Sequence, residues 1–138
     1  MKTVDCVVFI LIKNGKFLVE KRPVNEDIDP AAMAIPGGHV ESGETLETAF
    51  FRECMEELNV QPSAYRLIYK GLYRTNLERQ GCYYYAVSKW KGRLRRKEAG
   101  QLKWLSFDNK DKLDLLIDRK AVSKLGGIAG GNTYVICR

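Results

Sequence analysis

The stretch Gly37 to Val60, GGHVESGETLETAFFRECMEELNV, constrains this chain more than any other. It carries six glutamates (Glu41, Glu44, Glu47, Glu53, Glu56, Glu57) against one arginine, Arg52, a net charge of −5. The 138-residue chain as a whole is at +6, so the residues outside the stretch carry +11. An acidic island in a basic protein needs a physical cause. The stretch predicts a helix from near Thr45. Ser42 and Thr45 are both N-cap types, and Glu44 and Glu47 sit where negative charge suits a helix N-terminus. Leu46, Ala49, Phe50, Cys54 and Leu58 then recur at helical period. Asn59 follows, a residue that tolerates the left-handed backbone ending many helices.

Projected at about 100° per residue, Glu53 and Glu57 do not oppose the apolar stripe. They fall inside it, between the directions of Leu46 and Phe50, while Glu56 lies on its flank with Arg52 one turn earlier. Carboxylates at this spacing repel by roughly 0.2–0.5 kcal/mol per exposed pair. Turned toward a core they cost more unless paired or bound to metal. One arginine cannot neutralise three glutamates. Clustered carboxylate oxygens suit a hard divalent cation, Mg²⁺ or Mn²⁺. The competing explanation is a solvated acidic face.

These residues resemble the signature of the Nudix hydrolases, G-x5-E-x7-R-E-U-x-E-E-x-G-U, with U aliphatic. Gly38, Glu44, Arg52, Glu53, Glu56, Glu57 and Val60 stand at the required spacings. Cys54 fills the first U position, and Asn59 replaces the last glycine; neither touches a charged position. The resemblance is tight over the signature and loose over residues 3–125. It implies an α/β Nudix fold, a mixed β-sheet sandwiched between helices, in a single domain over 1–138. It also implies a hydrolase that cleaves the pyrophosphate linkage of a nucleoside diphosphate derivative with Mg²⁺ (or Mn²⁺).

Site roles follow from the same resemblance. Glu53, Glu56 and Glu57 would hold the metal, with the carbonyl of Gly37 or Gly38 and with Glu98 completing its shell. Either Glu53 or Glu98 would be the catalytic base, and Arg52 would orient the glutamates. A basic residue ending the second strand faces the substrate phosphates in such enzymes, which singles out Arg22, with Lys21 beside it. Asp118 would help read the base. The favoured substrate is a nucleoside triphosphate giving monophosphate and pyrophosphate. An ADP-ribose or nucleotide-sugar pyrophosphatase is the runner-up, and a non-catalytic nucleotide- or RNA-binding module is a third reading that the intact carboxylate set disfavours.

The rest of the chain fits this frame. Thr3 to Ile12 predicts a buried strand, Asn14-Gly15 a hairpin turn, and Phe17 to Lys21 the returning strand. Val24 to Ala32 is an acidic loop bordering the nucleoside, and Met33 to Ile35 a short strand. Gly37 and Gly38 read as a plain turn or as a close approach of backbone to ligand. Tyr65 to Tyr73 and Gly81 to Trp90 predict two further strands, with Tyr83, Tyr84 and Tyr85 alternating between faces. Lys89 to Lys97 holds six basic residues in nine, read as a solvated loop, a steering field for polyphosphate, or a nucleic-acid contact. Asp111 to Leu125 predicts a second helix, Gly126 to Gly131 a flexible segment, and Thr133 to Cys137 a terminal strand. That strand leaves a homodimer open as an alternative.

Other chemistries find no footing. His39 is the sole histidine, so a Ser-His-Asp triad has no natural centre. Cys6, Cys54, Cys82 and Cys137 form no C-x-x-C pair, and Cys6, Cys54 and Cys82, in apolar surroundings, read as buried thiols of a reducing, cytoplasmic compartment rather than as a disulfide frame or a zinc site. No apolar run approaches the roughly 20 residues of a membrane span, and the start shows no signal-peptide pattern. The resemblance implies a small nucleotide as the partner, with nucleic acid the less favoured one.

Overall fold

The computed structural model describes residues 2–95 and 100–129, with side chains described as far as residue 125 at that end. Seven strands form one mixed sheet: β1 (Thr3–Lys13), β2 (Lys16–Lys21), β3 (Met33–Ala34), β4 (Gly37–His39), β5 (Gln61–Arg74), β6 (Arg79–Lys91) and β7 (Gln101–Ser106). Helix α1 (Leu46–Leu58) covers one face and α2 (Leu116–Ala129) the other, with a 3-10 helix at Phe107–Lys112 between β7 and α2.

β1 is the central strand, and its β-branched, apolar run explains why. Val7, Phe9 and Leu11 pack with Ala49, Phe50, Cys54 and Leu58 of α1. Cys6, Val8, Ile10 and Ile12 pack with Ile117, Ala121, Val122 and Leu125 of α2. A strand buried on both faces reads as a continuous hydrophobic run rather than an alternating one. β1 pairs parallel with β6 from Thr3–Arg79 to Leu11–Val87, and antiparallel with β4. It meets β2 through only Ile12–Phe17 and Lys13–Lys16. The turn between them has Asn14 at φ 53° and Gly15 at φ 73°, the paired positive φ values of a type I′ hairpin.

The tyrosine run divides as alternation requires. Tyr84 enters the α2-side core, and Tyr85 enters the α1-side core, stacked on Phe50 at 4.1 Å between ring centroids. β5 and β6 are each longer than their apolar centres suggest, leaving only Thr75 to Glu78 as their connection. Pro62 is tolerated inside β5 because β5 is an edge strand of the sheet, with register shifts on either side of Ala64.

The second helix departs from its predicted bounds. Residues from Asp111 to Leu115 are not α-helical; the 3-10 helix ends at Lys112, and α2 starts at Leu116. The cause is tertiary pairing. Asp114 accepts from Met33 N through Oδ2 at 2.7 Å and donates its own N–H to the Met33 carbonyl at 2.9 Å. Leu113 is extended, with φ −67° and ψ 134°. The segment expected to be flexible begins as helix instead, since α2 runs through Gly126 and Gly127 to Ala129. Thr133 to Cys137 lies outside the described residues.

Phe50 is fully buried against Phe9, Phe51, Tyr65 and Tyr85. Phe50→Ala should therefore cost about 3–5 kcal/mol of stability, read from the shift of the urea unfolding midpoint at unchanged slope.

Candidate active site

Helix α1 is capped as its sequence suggests. Of the two candidate caps, Thr45 takes the role, its Oγ1 accepting from Thr48 N at 3.1 Å. Asn59 ends the helix at φ 62°, ψ 34°. This fixes the rotation of the helix and hence the fate of its glutamates. Glu53 is buried, Glu57 half-buried and Glu56 exposed, the order given by the helical projection.

Arg52 binds the acidic island together. Its Nε and Nη2 grip both oxygens of Glu44 at 2.6 and 2.8 Å, a bidentate pair. Its Nη1 donates to Glu53 Oε2 at 3.0 Å and Glu56 Oε1 at 3.1 Å, and Nη2 also donates to the His39 carbonyl at 3.0 Å. Hydrogen bonding to Arg52 holds Glu44 down to about 2. Glu53 goes the other way. Burial raises its pKa, Arg52 partly opposes that, and the charges of Glu57 and Glu56 raise it again.

The glycine pair is not a turn. Gly37 and Gly38 are strand residues of β4, paired with Val8 and Val7 of β1. Their bareness serves close approach. A Cβ on Gly37 would lie 2.5 Å from the Val7 carbonyl oxygen, and one on Gly38 would lie 2.1 Å from the Glu53 carboxyl carbon. The backbone of β4 thus lies directly against the buried glutamate. Glu53, Glu56 and Glu57 beside a bare peptide offer the kind of oxygen donor that hard divalent ions take, so their chemistry fits such an ion; in this structure Glu53 and Glu56 are turned to Arg52, and the three carboxylates are not drawn into one tight cluster.

The cavity beside this face is about 200 Å³. Glu57, Gly37 and Gly38 line it from the α1 side, and Glu20, Arg22, Asp29, Ile35, Tyr84 and Asp118 complete its walls. That is less than the roughly 300–1,000 Å³ of a pocket enclosing a whole drug-sized ligand; a planar ring is the part of a nucleotide such a space encloses. Asp118 is buried in the wall. Its Oδ1 accepts from Tyr84 OH at 2.5 Å and its Oδ2 from Ile35 N at 3.0 Å. Burial, only partly offset by these bonds, lifts its pKa to about 7.

Arg22 also lines the cavity, with its fork engaged. Nε donates to the Ile28 carbonyl, Nη2 to Glu26 at 2.9 Å and Nη1 to Glu20 at 3.4 Å. It therefore ties down the acidic loop, which does border the pocket through Glu26, Ile28 and Asp29. Lys21 points the other way along the strand and is exposed. Glu98 lies outside the described residues, as do Arg96, Lys97 and Ala99 of the basic segment. The described part of that segment is fastened to the end of α1, with Asn59 Nδ2 donating to the Arg93 carbonyl and Arg95 N to the Leu58 carbonyl.

Sequence reading missed Glu20 and Tyr84 as site residues. For Glu20 a signal existed: it is in step with Leu18 and Arg22 along β2, so an inward Arg22 implies an inward Glu20. For Tyr84 nothing marked it out from its two tyrosine neighbours.

Comparison with known proteins fixes the class. Residues 1–125 match the family model described as NUDIX domain. An 8-oxo-dGTP diphosphatase from Buchnera aphidicola is 30% identical over 112 residues, covering 79% of this chain and 82% of that protein. The Escherichia coli 8-oxo-dGTP diphosphatase is 28% identical over 95 residues, 69% of this chain and 73% of that one. The crystal structure of a MutT Nudix hydrolase from Burkholderia pseudomallei superposes with a TM-score of 0.78 at 22% identity, covering 91% of this chain and 99% of that one. The chain belongs to the Nudix family, in its MutT-like branch. It is an enzyme of that family, a pyrophosphohydrolase. Nudix hydrolases generally use divalent metals. Among the described residues no helix is long and apolar enough to cross a membrane.

The Asp118 carboxyl gives a pH prediction with a definite sign. Its unfolded value is 3.8 and its folded value about 7. Below the first, both states are protonated and nothing is lost. Between the two, the native state retains a proton that the unfolded state has released, so stability falls as pH rises, and above about 7 the loss is complete. At about 1.4 kcal/mol per unit, the loss is roughly 4 kcal/mol. Asp118→Asn, which keeps an acceptor for Ile35 and offers a donor to Tyr84, removes it. The stability of the variant relative to the parent should rise by that amount between pH 4 and pH 8 in urea titrations.

Proposed function

We propose that this enzyme hydrolyses a nucleoside triphosphate to the monophosphate and pyrophosphate, with Mg²⁺ or Mn²⁺ bound at α1 and the base in the Asp118 pocket. One observation carries the reading. The carboxylate face of α1 and the ring-sized cavity are continuous, since Glu57, Gly37 and Gly38 line that cavity while Asp118 lies in its wall. A base there leaves its phosphates at the acidic, metal-fitting rim. The named activity of the two diphosphatase relatives supports a triphosphate, including one with an oxidised purine. So does the 36% identity over 72 residues, half of that protein's length, to a nucleoside triphosphatase, NudI, from Enterobacter.

A pyrophosphate linkage is anionic and repels an incoming hydroxide. Glu53, Glu56, Glu57 and the Gly37 or Gly38 carbonyl would hold a divalent cation, which when bound would supply positive charge to offset that of the phosphate oxygens. The chain's own groups do the remainder. Glu53, buried against the β4 backbone, accepts the proton of the attacking water, with Glu98 the other candidate for that role. Arg52 positions Glu53 and Glu56 from behind without touching substrate. Arg22 has five N–H donors, and its three contacts leave capacity for a phosphate oxygen at the pocket mouth. Asp118, poised near neutrality, presents either an acceptor or an O–H donor to the base. The buried thiols Cys6, Cys54 and Cys82 suit a reducing cytoplasm.

Two experiments test this. Turnover is measured with Mg²⁺ against a panel of deoxynucleoside triphosphates, 8-oxo-dGTP, ADP-ribose and nucleotide sugars, with products separated by anion exchange. Pyrophosphate release from a triphosphate at the highest kcat/KM is the expected result; preference for ADP-ribose would replace the proposal with the runner-up. Glu53→Gln should lower kcat by roughly 10²-fold or more with an unchanged circular-dichroism spectrum. A variant retaining full turnover would shift the base to Glu98.

A further inference from the structure

We propose that Cys6, His39 and Glu78 form a second metal site, selective for a borderline-soft divalent ion such as Zn²⁺ and separate from the carboxylate face of α1. The Cys6 thiol, a His39 ring nitrogen and a Glu78 carboxylate oxygen lie within 4.8 Å of one another. A tetrahedral zinc ion, with its sulfur at about 2.3 Å and nitrogen or oxygen at about 2.0–2.2 Å, needs its donors roughly 3.5 Å apart. His39 Nε2 now stands 2.7 Å from Glu78 Oε2. Opening that contact takes less than about 1 Å, and the His39 side chain is half exposed and able to swing. The set of one sulfur, one imidazole and one carboxylate is that of a zinc site with an open fourth position, and it is a poor match for magnesium.

The three residues come from separate elements but are held in place together. Cys6 and His39 are partners across the β1–β4 pairing. Glu78 closes the turn before β6, where Thr75 Oγ1 donates to the Glu78 carbonyl and accepts from Glu78 N, both at 2.9 Å. Gln80 Nε2 donates to Glu78 Oε2 at 2.9 Å, the kind of outer hydrogen bond that orients a metal-binding carboxylate. Cys6, His39 and Gln80 line the same cavity as Asp118, so the cluster is reached from the pocket through Cys6 and His39. Plain core packing accounts well for Cys54, which is wholly enclosed by apolar neighbours. It does not account for a thiol placed beside an imidazole and a carboxylate. Binding of a divalent ion displaces the Cys6 thiol proton to solvent as the metal–sulfur bond forms.

Cobalt(II) serves as the probe, titrated into the intact protein in the presence of saturating Mg²⁺. The expected result is about one Co²⁺ per chain with an intense thiolate-to-cobalt charge-transfer absorption, bleached by one equivalent of Zn²⁺ and untouched by Mg²⁺. Cys6→Ala should abolish the band. His39→Ala and Glu78→Gln should each weaken Co²⁺ binding at least tenfold, and Gln80→Ala by roughly tenfold. Glu53→Gln should leave the band intact, because the α1 face offers no thiol. No band in the folded parent protein overturns the proposal, as does a band that survives Cys6→Ala or vanishes only in Cys82→Ala. Should Cys6→Ala fail to fold by circular dichroism, the half-exposed His39→Ala decides the matter alone.

Discussion

The grip of Arg52 on Glu44, Glu53 and Glu56 is the interaction on which this site depends. Without it, α1 would present unopposed carboxylates to a protein interior, and the helix would gain by rotating them toward water. Its guanidinium fork can face two ways at once. One edge closes bidentately on Glu44 from the loop before the helix, while the other reaches Glu53 and Glu56 on the helix itself. Lysine, a point charge on a flexible stem, offers no such geometry. The fourth partner, the His39 carbonyl, adds β4 to the cluster. Helix, loop and strand are therefore set by a single side chain, and the bare peptide of Gly38 arrives against Glu53 as a result.

Much of this was legible before any coordinates. The buried strand β1, the Asn-Gly turn, the Asn59 cap and the inward set of Glu53 all follow from apolar run, period and local backbone preference, which act over a few residues. What was not legible depended on contacts distant in sequence. Residues 111–115 have a helical pattern, yet Asp114 exchanges two hydrogen bonds with Met33 and the helix waits until Leu116. Gly37-Gly38 has the composition of a turn, yet its role as strand is fixed by Val7, Val8 and Glu53. Arg22 was visible as a basic strand end, but its partners in the 23–32 loop were not.

The cysteines show the same limit from the side of chemistry. Spacing rules for metal sites work when the ligands share a turn or a helix. Cys6, His39 and Glu78 are far apart in sequence, and only the β1–β4 pairing and the Thr75 turn bring them together. No local pattern announces such a cluster. Asp118 is intermediate. Only the family resemblance pointed to it, while its partner Tyr84 is indistinguishable in sequence from Tyr83 and Tyr85.

The narrow seam between β1 and β2 has a mechanical consequence. Only two residue pairs join these strands, whereas β2 is laddered along its whole length to β7, and β1 to β6 from Thr3 to Leu11. The sheet is accordingly two plates joined at a corner, one bearing Glu20 and Arg22, the other Gly38, Cys82 and Tyr84. Between these plates strand pairing holds only at the Asn14-Gly15 corner, so the spacing of the cavity walls rests on side-chain packing, that of Phe17 and Val19 with Val8 and Ile10 in one buried cluster.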